Sequence, residues 1–570
     1  MARERRALLL AAGLGTRLRP LTDHTPKPLL TLGGETLLAH IAGQLREAGV
    51  THLAVNAHHL AEQVTDAAHA LTGFTEVTVF PEPEILGTGG ALWGARDFLG
   101  GDDNFLLYNG DVDCDADLWY LFDTHVESGA AVTLLLTDWP AVNSVRLGAD
   151  GRVHDIASRL ETKAEPDDSL LTYTGVAVFS RRFLELLPAG PSHLVDALVR
   201  AIREDPGGVR GCVPDELSWN DLGTPGRYLD ALLRENDPAD RESTTATVAA
   251  LPLVREAGLH DKTPERLALQ GSDRGFWRLG DAVLMKSRPD DPDFDRYTEI
   301  GRYLHDEDLG GPEITAVDRS DAAVLMEDLG DDTLHRLAHA DPDRRPDLYR
   351  RVLDTLVALQ TTGTAALALC PAAENRVFDA AVVRWEHDYF RERFLMGEAG
   401  LTADDLAGLA ADLALIGDAV LSQPGVLMHR DFQSQNIVIK KGRARLVDFQ
   451  GARRGPYAYD LMSLLRDAYV DLGDDLRDDL LEYYVSALTE AGTPPPVDIT
   501  RDATAAGLQR VMQALGAFGY LSGVKGKTAF REHIPLALRH LRALSRDWQV
   551  VSGERSLTRL DEILNRVETS

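Results

Sequence analysis

Between residues 7 and 28 the chain reads Ala-Leu-Leu-Leu-Ala-Ala-Gly-Leu-Gly-Thr-Arg-Leu-Arg-Pro and then, after four residues, Thr-Pro-Lys-Pro. No other stretch limits the fold as tightly. An apolar strand, expected over Ala7–Ala12, runs into Gly13 and Gly15 and then into a helix. Such a turn gathers backbone N–H groups at a helix N-terminus, which suits a polyphosphate. The two glycines allow close approach, Arg17 can fork onto phosphate oxygens, and Lys27 is a point charge held between two prolines. The dinucleotide pattern G-x-G-x-x-G fails because its third position is Leu18, and nothing here reads G-K-[ST]. The basic-then-apolar start mimics a leader peptide. Gly13, Gly15, Arg17 and Arg19 cut the apolar run short and no small-residue cleavage site follows, so a buried first strand and a cytoplasmic protein are expected.

At 570 residues the chain is too long for one ordinary core. Further strands are expected at Leu53–Asn56, Val77–Phe80, Phe105–Tyr108, Ala131–Leu136 and Thr174–Phe179. A helix over Thr36–Ala48, stopped by Gly49, separates the first two. This alternation predicts a mostly parallel sheet flanked by helices in residues 1–235. Residues 236–246 (NDPADRESTTA) are polar, contain proline and have no apolar period, and read as a linker. Residues 247–570 divide into a small β-rich lobe to about residue 330, with strands at Gly275–Leu279, Ala282–Lys286 and Ala323–Glu327, and a helical lobe after it. Helices are expected at Leu348–Leu359 and Leu508–Leu521, and strands interrupt the helical lobe at Asn436–Ile439 and Ala444–Val447.

The formal net charge of −31 argues against a nucleic-acid partner, which would need a cationic surface. No apolar run is long enough to cross a bilayer. Cys114, Cys212 and Cys370 match no metal-ligand spacing, and a reduced compartment suits them. Only eight of the 59 basic residues are lysine, which draws attention to Lys27 and Lys286. If the substrates are nucleotides, their phosphates must meet local cations against the overall field.

Extended to Lys27, the first motif resembles the signature of the nucleoside-diphosphate-sugar pyrophosphorylase superfamily. That resemblance places a nucleotide on Ala11, Ala12, Gly13, Gly15 and Thr16, with Arg17 and Lys27 as catalytic cations. Asp111, closing the strand in Tyr-Asn-Gly-Asp (108–111), and Asp221, in Trp-Asn-Asp-Leu-Gly-Thr-Pro (219–225), match the pair that holds Mg²⁺ in this superfamily, and oxygen ligands suit that ion. Asp113, Asp115 and Asp117 read as a solvated turn. Gly87 and Thr88 resemble the base-and-ribose loop. Asn109, Thr174, Gly175 and, on a looser match, Glu161 beside Lys163 resemble the sugar contacts. The implied reaction is attack of a sugar 1-phosphate on the α-phosphorus of a nucleoside triphosphate, with release of pyrophosphate.

His429-Arg430-Asp431 and Asn436, with Asp448 twelve residues further on, match the kinase catalytic loop and its metal aspartate. Asp431 would accept the acceptor hydroxyl proton, and Asn436 and Asp448 would hold the metal ions that bridge the ATP phosphates. Gln450 stands where protein kinases have glycine, which points to the small-molecule branch of aminoglycoside and choline kinases. Ser272–Phe276 would be the phosphate loop, Lys286 the phosphate-pairing lysine, Glu299 its ion-pair partner with Glu307 as competitor, and Glu327 part of the adenine hinge. Trp385, His387, Tyr389 and Phe390 read as core, with acceptor contact as the alternative. Gly526-Lys527-Thr528 mimics a Walker ending, but residue 521 is leucine.

The stretches 429–469 and 508–527 look like the anomeric kinases of N-acetylmuramate and N-acetylglucosamine, and the first half resembles N-acetylmuramate 1-phosphate uridylyltransferase. The fold expected is therefore α/β: a Rossmann-like nucleotidyltransferase domain followed by a bilobal protein-kinase-like α+β domain. The function implied is ATP-dependent formation of a sugar 1-phosphate, then uridylyl transfer from UTP, with Mg²⁺ as cofactor, as in cell-wall sugar recycling. Two alternatives remain open at this level. One is choline kinase fused to a CTP-dependent phosphocholine cytidylyltransferase; the other is a nucleotidylyltransferase carrying an inactive regulatory kinase-like half. The partners expected are small sugars and nucleotides, without nucleic acid or membrane, and the sequence leaves the oligomeric state open.

Overall fold

The structure is a computed structural model that describes residues 5–160, 163–267, 274–493, 498–553 and 556–567. The chain divides into two compact units, Met1–Glu265 and Arg266–Ser570.

In the first unit, strands β1 (Arg5–Leu10), β2 (Val50–Ala57), β3 (Glu76–Pro81) and β4 (Asn104–Asn109) lie in the order β3-β2-β1-β4, all parallel. The long strand β7 (Ser169–Ser180) extends the sheet antiparallel to β4, and β6 (Val132–Thr137) and β8 (Val209–Cys212) follow beyond it. Side chains alternate across the sheet as the strand period requires. Leu8, Ala54, Phe105 and Leu107 fill one core, while Ala7, Leu9, Val55, Leu106 and Tyr108 fill the core on the opposite face. Burial on both faces explains why these strands read as continuous apolar runs. The helix α1 (Leu37–Glu47) starts where expected, because the Thr36 hydroxyl accepts from the Ala39 amide at 3.2 Å. The first strand stops short of expectation. Ala11 and Ala12 belong to the loop, and the Ala11 amide is taken by a side chain, Asn56 Oδ1, at 2.6 Å.

The segment expected as a linker is instead structured and packed. Helix α3 (Pro225–Glu235) is followed by a turn at Pro238–Asp240 and helix α4 (Arg241–Ala250). The buried Asp240 carboxylate accepts from the amides of Gly33 and Gly34 at 2.7 and 3.3 Å. Polar composition misled here because the polarity serves this anchor. The division of the chain falls at Glu265/Arg266.

In the second unit, strands β10 (Gly275–Leu279), β11 (Ala282–Lys286), β13 (Ala323–Glu327) and β12 (Ile314–Asp318) pair antiparallel in that spatial order. Helix α5 (Phe294–Asp306) lies between β11 and β12 in sequence. The helical part includes α6 (Arg345–Ala358), α7 (Ala380–Tyr389), α8 (Tyr457–Leu465) and α9 (Ile499–Gly519), the last buried along almost its whole length. Two short antiparallel pairs frame the loop that carries Asp431: β14 (Gly425–Met428) with β17 (Arg453–Pro456), and β15 (Ile437–Lys440) with β16 (Arg443–Leu446). Among the described residues no helix is long and apolar enough to cross a membrane.

Candidate active sites

At the carboxyl ends of β1, β2 and β4, where ligands sit in open parallel sheets, a cleft of about 210 Å³ is lined by Ala11, Ala12, Gly13, Lys27, Gly87, Thr88, Asn109 and Asp111. The first motif and the 87–88 loop thus meet across one cavity. Lys27 is only 7 % exposed, and its Nζ donates to Asp111 Oδ2 at 2.8 Å. Gly110 holds this arrangement. Its amide donates to the Leu10 carbonyl at 2.8 Å, and a Cβ there would stand 2.4 Å from that oxygen.

Asp221 reaches Asp111 through a two-stranded ribbon, β5 (Val112–Cys114) with β9 (Trp219–Asp221), in which Asp221 pairs with Val112. The Leu222 amide donates to the Asp111 carbonyl at 2.9 Å. Arg17 approaches the same corner, for a Cβ on Gly223 would lie 2.6 Å from Arg17 Nη2 and 2.5 Å from Asp221 Oδ1. Gly15, in the left-handed region at φ 61°, turns the chain there, and the Thr22 hydroxyl fixes its carbonyl at 2.8 Å. Thr16 stays exposed beside it.

Three neighbours were not foreseen as site residues. Asn56 Nδ2 donates to Glu82 Oε1 at 2.7 Å, and Glu82 Oε2 accepts the Leu86 amide at 2.9 Å. Together with the Ala11 contact, this buried pair fixes both loops that line the cleft. A polar residue closing an apolar parallel strand was the available signal for Asn56. Arg227, the third, sits 3.3 Å from Asp221.

The sugar-side residues fare unevenly. Gly175, at φ 90°, abuts the Asn109 side chain, and a Cβ there would stand 2.7 Å from Nδ2. The buried Asn109 Oδ1 has no partner among the described residues, which suits a ligand donor. Thr174 is 1 % exposed with its hydroxyl donated to Leu135, so its side chain is committed to the core. Glu161 lies outside the described residues. The expected solvated turn holds for two of its three acids: Asp115, which accepts the Ser218 amide, and Asp117, which caps helix α2 (Leu118–Ser128), are exposed, whereas Asp113 is buried against Arg234.

In the second unit the loop between β14 and β15 presents Asp431. Asn436 Nδ2 donates to the Asp431 carbonyl at 2.9 Å and lies 3.5 Å from Asp448 Oδ2, while Gln450 Nε2 donates to Asp448 Oδ1 at 2.7 Å. The three motif residues therefore converge. Buried carboxylates brace the loop: Asp460 accepts the amides of His429 and Arg430, and Asp467 accepts those of Ser434 and Tyr469. Burial pushes the Asp460 carboxyl up to about 7, partly offset by those two amides. Arg430 (φ 80°) and Asp448 (φ 61°) both occupy the left-handed region, a strain that the surrounding bonds must maintain. Arg510, on buried α9, donates to Gln433 and stands 3.8 Å from Asp431.

Lys286 is 1 % exposed and donates to the Ser287 carbonyl at 2.7 Å. Its expected pair with Glu299 is not present among the described residues. Glu299 points from the exposed side of α5 and accepts the Ala372 amide at 2.8 Å. Glu327, expected at an adenine hinge, ends β13 with its carboxylate held by Lys440 and Arg445, each at 2.7 Å, and its amide donated to the Glu313 carbonyl at 2.8 Å. Burial alone would raise that carboxyl; the two cations override it and hold it at about 2. In the proposed phosphate loop, Ser272 and Asp273 lie outside the described residues, whereas Arg274 lies beside Tyr297, which packs on Phe449.

The aromatic cluster splits by helix face. His387 and Phe390 are buried, but Trp385 is 51 % exposed and stacks on Tyr389 at 4.9 Å. Glu386 is not a surface acid. It is fully buried and accepts from Tyr459 at 3.0 Å, Gln509 at 2.9 Å and Arg430 at 3.5 Å.

Both sites suit a hard divalent cation. Asp111 and Asp221 offer oxygen donors beside a polyphosphate-sized cleft, and Mg²⁺ commonly takes one or two carboxylates plus phosphate and water. Burial and then the neighbouring Asp431 push the Asp448 carboxyl up, a cost that a bound cation would reverse.

Comparisons with known proteins follow the same division. The family described as nucleotidyl transferase matches residues 6–237, and the phosphotransferase enzyme family matches residues 263–498. Over 234 residues the chain is 32% identical to an N-acetylmuramate alpha-1-phosphate uridylyltransferase of Neisseria meningitidis, covering 40% of this chain and 96% of that protein. Over 296 residues it is 29% identical to an N-acetylmuramate/N-acetylglucosamine kinase of Pseudomonas aeruginosa, covering 50% of this chain and 85% of that protein. A mannose-1-phosphate guanylyltransferase of Mycobacterium tuberculosis is 32% identical over 233 residues, covering 39% of this chain and 62% of that protein.

Proposed function

For a chain that belongs to the nucleotidyl transferase family in its first half and to the phosphotransferase enzyme family in its second, we propose two consecutive reactions. The second unit transfers the γ-phosphoryl group of ATP to the anomeric hydroxyl of N-acetylmuramate or N-acetylglucosamine. The first unit then joins the resulting sugar 1-phosphate to a uridylyl group from UTP, releasing pyrophosphate. The observation that carries the reading is the convergence of Asp431, Asn436 and Asp448 in one half and of Lys27 with Asp111 in the other.

In the kinase step Asp431 takes the proton of the anomeric hydroxyl as its oxygen attacks phosphorus. In the nucleotidyl step a sugar phosphate oxygen attacks the α-phosphorus of UTP, and Arg17 and Lys27 face the charge that builds on the α-phosphate and the leaving pyrophosphate. Asp111 and Asp221 in one site, and Asn436 and Asp448 in the other, would hold Mg²⁺, which would supply further neutralisation of phosphate charge. The two N-terminal relatives named above are equally identical to this chain, so the kinase half selects between them. Its relative acts on N-acetylmuramate, whose 1-phosphate is the substrate type of the uridylyltransferase.

The choline alternative finds little support. Of the acids near the Trp385–Tyr389 stack, Glu386 is buried and engaged, and the charge placed over Trp385 is the Arg430 guanidinium, 5.8 Å away. A trimethylammonium group would be repelled there.

The test is incubation of the full chain with ATP, UTP, Mg²⁺ and a panel of free N-acetyl amino sugars, choline and CTP. A UDP-sugar is the expected product, and its absence from every mixture would refute the proposal. Asp431→Asn is expected to abolish phosphoryl transfer while pyrophosphate release from supplied N-acetylmuramate 1-phosphate and UTP persists.

A further inference from the structure

Besides Arg510, which stands 3.8 Å from it, three further guanidinium groups gather near the catalytic aspartate of the second unit. A Cβ on Gly451 would stand 3.5 Å from Asp431 Oδ2 and 3.7 Å from the Arg430 Cβ, so this glycine marks the wall next to the base. Arg453 Nε donates to the Gly451 carbonyl at 2.9 Å, and Arg376 Nη1 donates to the Gln450 carbonyl at 3.0 Å. Neither Arg376 nor Arg453 is in an ion pair among the described residues, in a chain with 90 acidic residues against 59 basic ones. Arg430 is the exception, reaching the buried Glu386 at 3.5 Å, yet its Nε is buried without a partner. Burial, then the charges of Arg430 and Arg376, lower Arg453 to about 10.

Adjacent carboxylates are already engaged. Glu386 is surrounded by donors, and Asp448 is bonded to Gln450 and faces Asn436. Next to the cations stands the exposed Trp385, stacked on Tyr389. A pyranose ring presents C–H faces that lie well on such a platform. A neutral sugar gives Arg376 and Arg453 nothing ionic to bind, whereas an acceptor bearing a carboxylate does.

We propose that Arg376, Arg453 and the free edge of Arg430 form a carboxylate subsite that selects an acidic acceptor sugar, with Trp385 and Tyr389 as the platform for its ring. This rests on the reading of the second unit as an N-acetyl amino sugar kinase and names the feature it recognises. N-acetylmuramate differs from N-acetylglucosamine by a lactyl ether that ends in a carboxylate. The subsite therefore separates the two acceptors by charge.

The experiment uses the full chain and initial rates of ADP formation, with N-acetylmuramate or N-acetylglucosamine as acceptor. The wild type is expected to favour the acidic sugar. Arg376→Gln is expected to lower the acid-to-neutral ratio of kcat/KM by about ten-fold or more, through KM for the acidic sugar, with KM for ATP unchanged. Arg376→Lys should restore part of the ratio, because it returns the charge but not the fork. Trp385→Ala, on the surface, should instead weaken both sugars together and leave the ratio intact. An equal loss on both sugars in Arg376→Gln, or a rise in KM for ATP, would overturn the subsite and assign the cations to the transferred phosphate. A wild type active on both sugars with no preference would also overturn it while leaving the kinase reading standing. Inactivity of the wild type on both sugars would overturn the kinase reading, and the subsite with it.

Discussion

Glu386→Gln probes how the catalytic loop of the second unit is held. Glu386 is fully buried and faces three donors, Tyr459, Gln509 and Arg430, a geometry that only an acceptor on both oxygens satisfies. Glutamine keeps the shape but turns one oxygen into an N–H₂ group. At least one donor then loses its partner inside the protein, at about 1–3 kcal/mol. Arg430 also loses one of two neighbouring counter-charges, Asp431 being the other, so that contact costs less than the about 3–5 kcal/mol typical of breaking an isolated buried pair. Part of that is returned, because burial already raises the Glu386 carboxyl and so taxes its charged form. A net loss of about 3 kcal/mol is expected, or roughly 5–10 °C in the melting of a unit of this size. Arg430 is strained at φ 80° and directly precedes Asp431, so the loosened loop should lower kcat for phosphoryl transfer at least about ten-fold. Scanning calorimetry and separate kinase and pyrophosphate-release assays on one preparation read all three quantities. A melting shift below 1 °C with full kinase activity would refute the reasoning, as would an equal loss of pyrophosphate release.

Gly110→Ala places a Cβ 2.4 Å from the Leu10 carbonyl and must part β1 from the residue that carries Asp111. It should cost about 2–4 kcal/mol and reduce nucleotidyl transfer about 100-fold, checked by melting and pyrophosphate release, with kinase rates as the control. Asn56→Ala strips partners from the Ala11 amide and from Glu82. It should raise KM for the nucleotide in pyrophosphate release and destabilise the chain by about 1–3 kcal/mol. Glu327→Gln breaks the contacts to Lys440 and Arg445, which are open enough to solvent to be worth only about 1 kcal/mol at neutral pH. Because the folded carboxyl is depressed to about 2, that stability is present above the unfolded value near 4.3 and fades as pH falls toward 2. Wild type and variant should therefore melt further apart at pH 7 than at pH 3, and the opposite order would contradict the assignment.

The parallel strands of the first unit were legible because each is buried on both faces and so reads as an unbroken apolar run, as in Leu106–Tyr108 with Leu9 beside it. Spaced motifs picked out Lys27 with Asp111 and Asp431 with Asn436, pairs that the fold brings into contact, because a motif fixes residue type and separation together. What escaped the sequence depends on partners far along the chain. Asp240 looks like linker polarity until Gly33 and Gly34 are brought to it. Glu299 has the right charge on the right helix for Lys286, but the rotation of that helix turns it outward to Ala372. Helical spacing places Trp385 and Tyr389 on one face and Glu386 on another, yet only the fold says which face meets the core.

The scarcity of lysine and the excess of acid sharpen what the site cations mean. With a net charge of −31, a cation left without an acid partner is expensive to keep idle, because acidic side chains abound. Lys27 answers this by resting on Asp111, an arrangement that a divalent ion and a polyphosphate can exchange for their own charges. Arg445 and Lys440 answer it by sharing Glu327. Among the described residues, Arg376 and Arg453 rest only on main-chain carbonyls. A carbonyl is a weaker counterpart for a guanidinium than a carboxylate, so of these cations these two are the ones best placed to gain from an anionic ligand. Their place beside Asp431 is what makes the acceptor, and not a protein acid, the expected source of that charge.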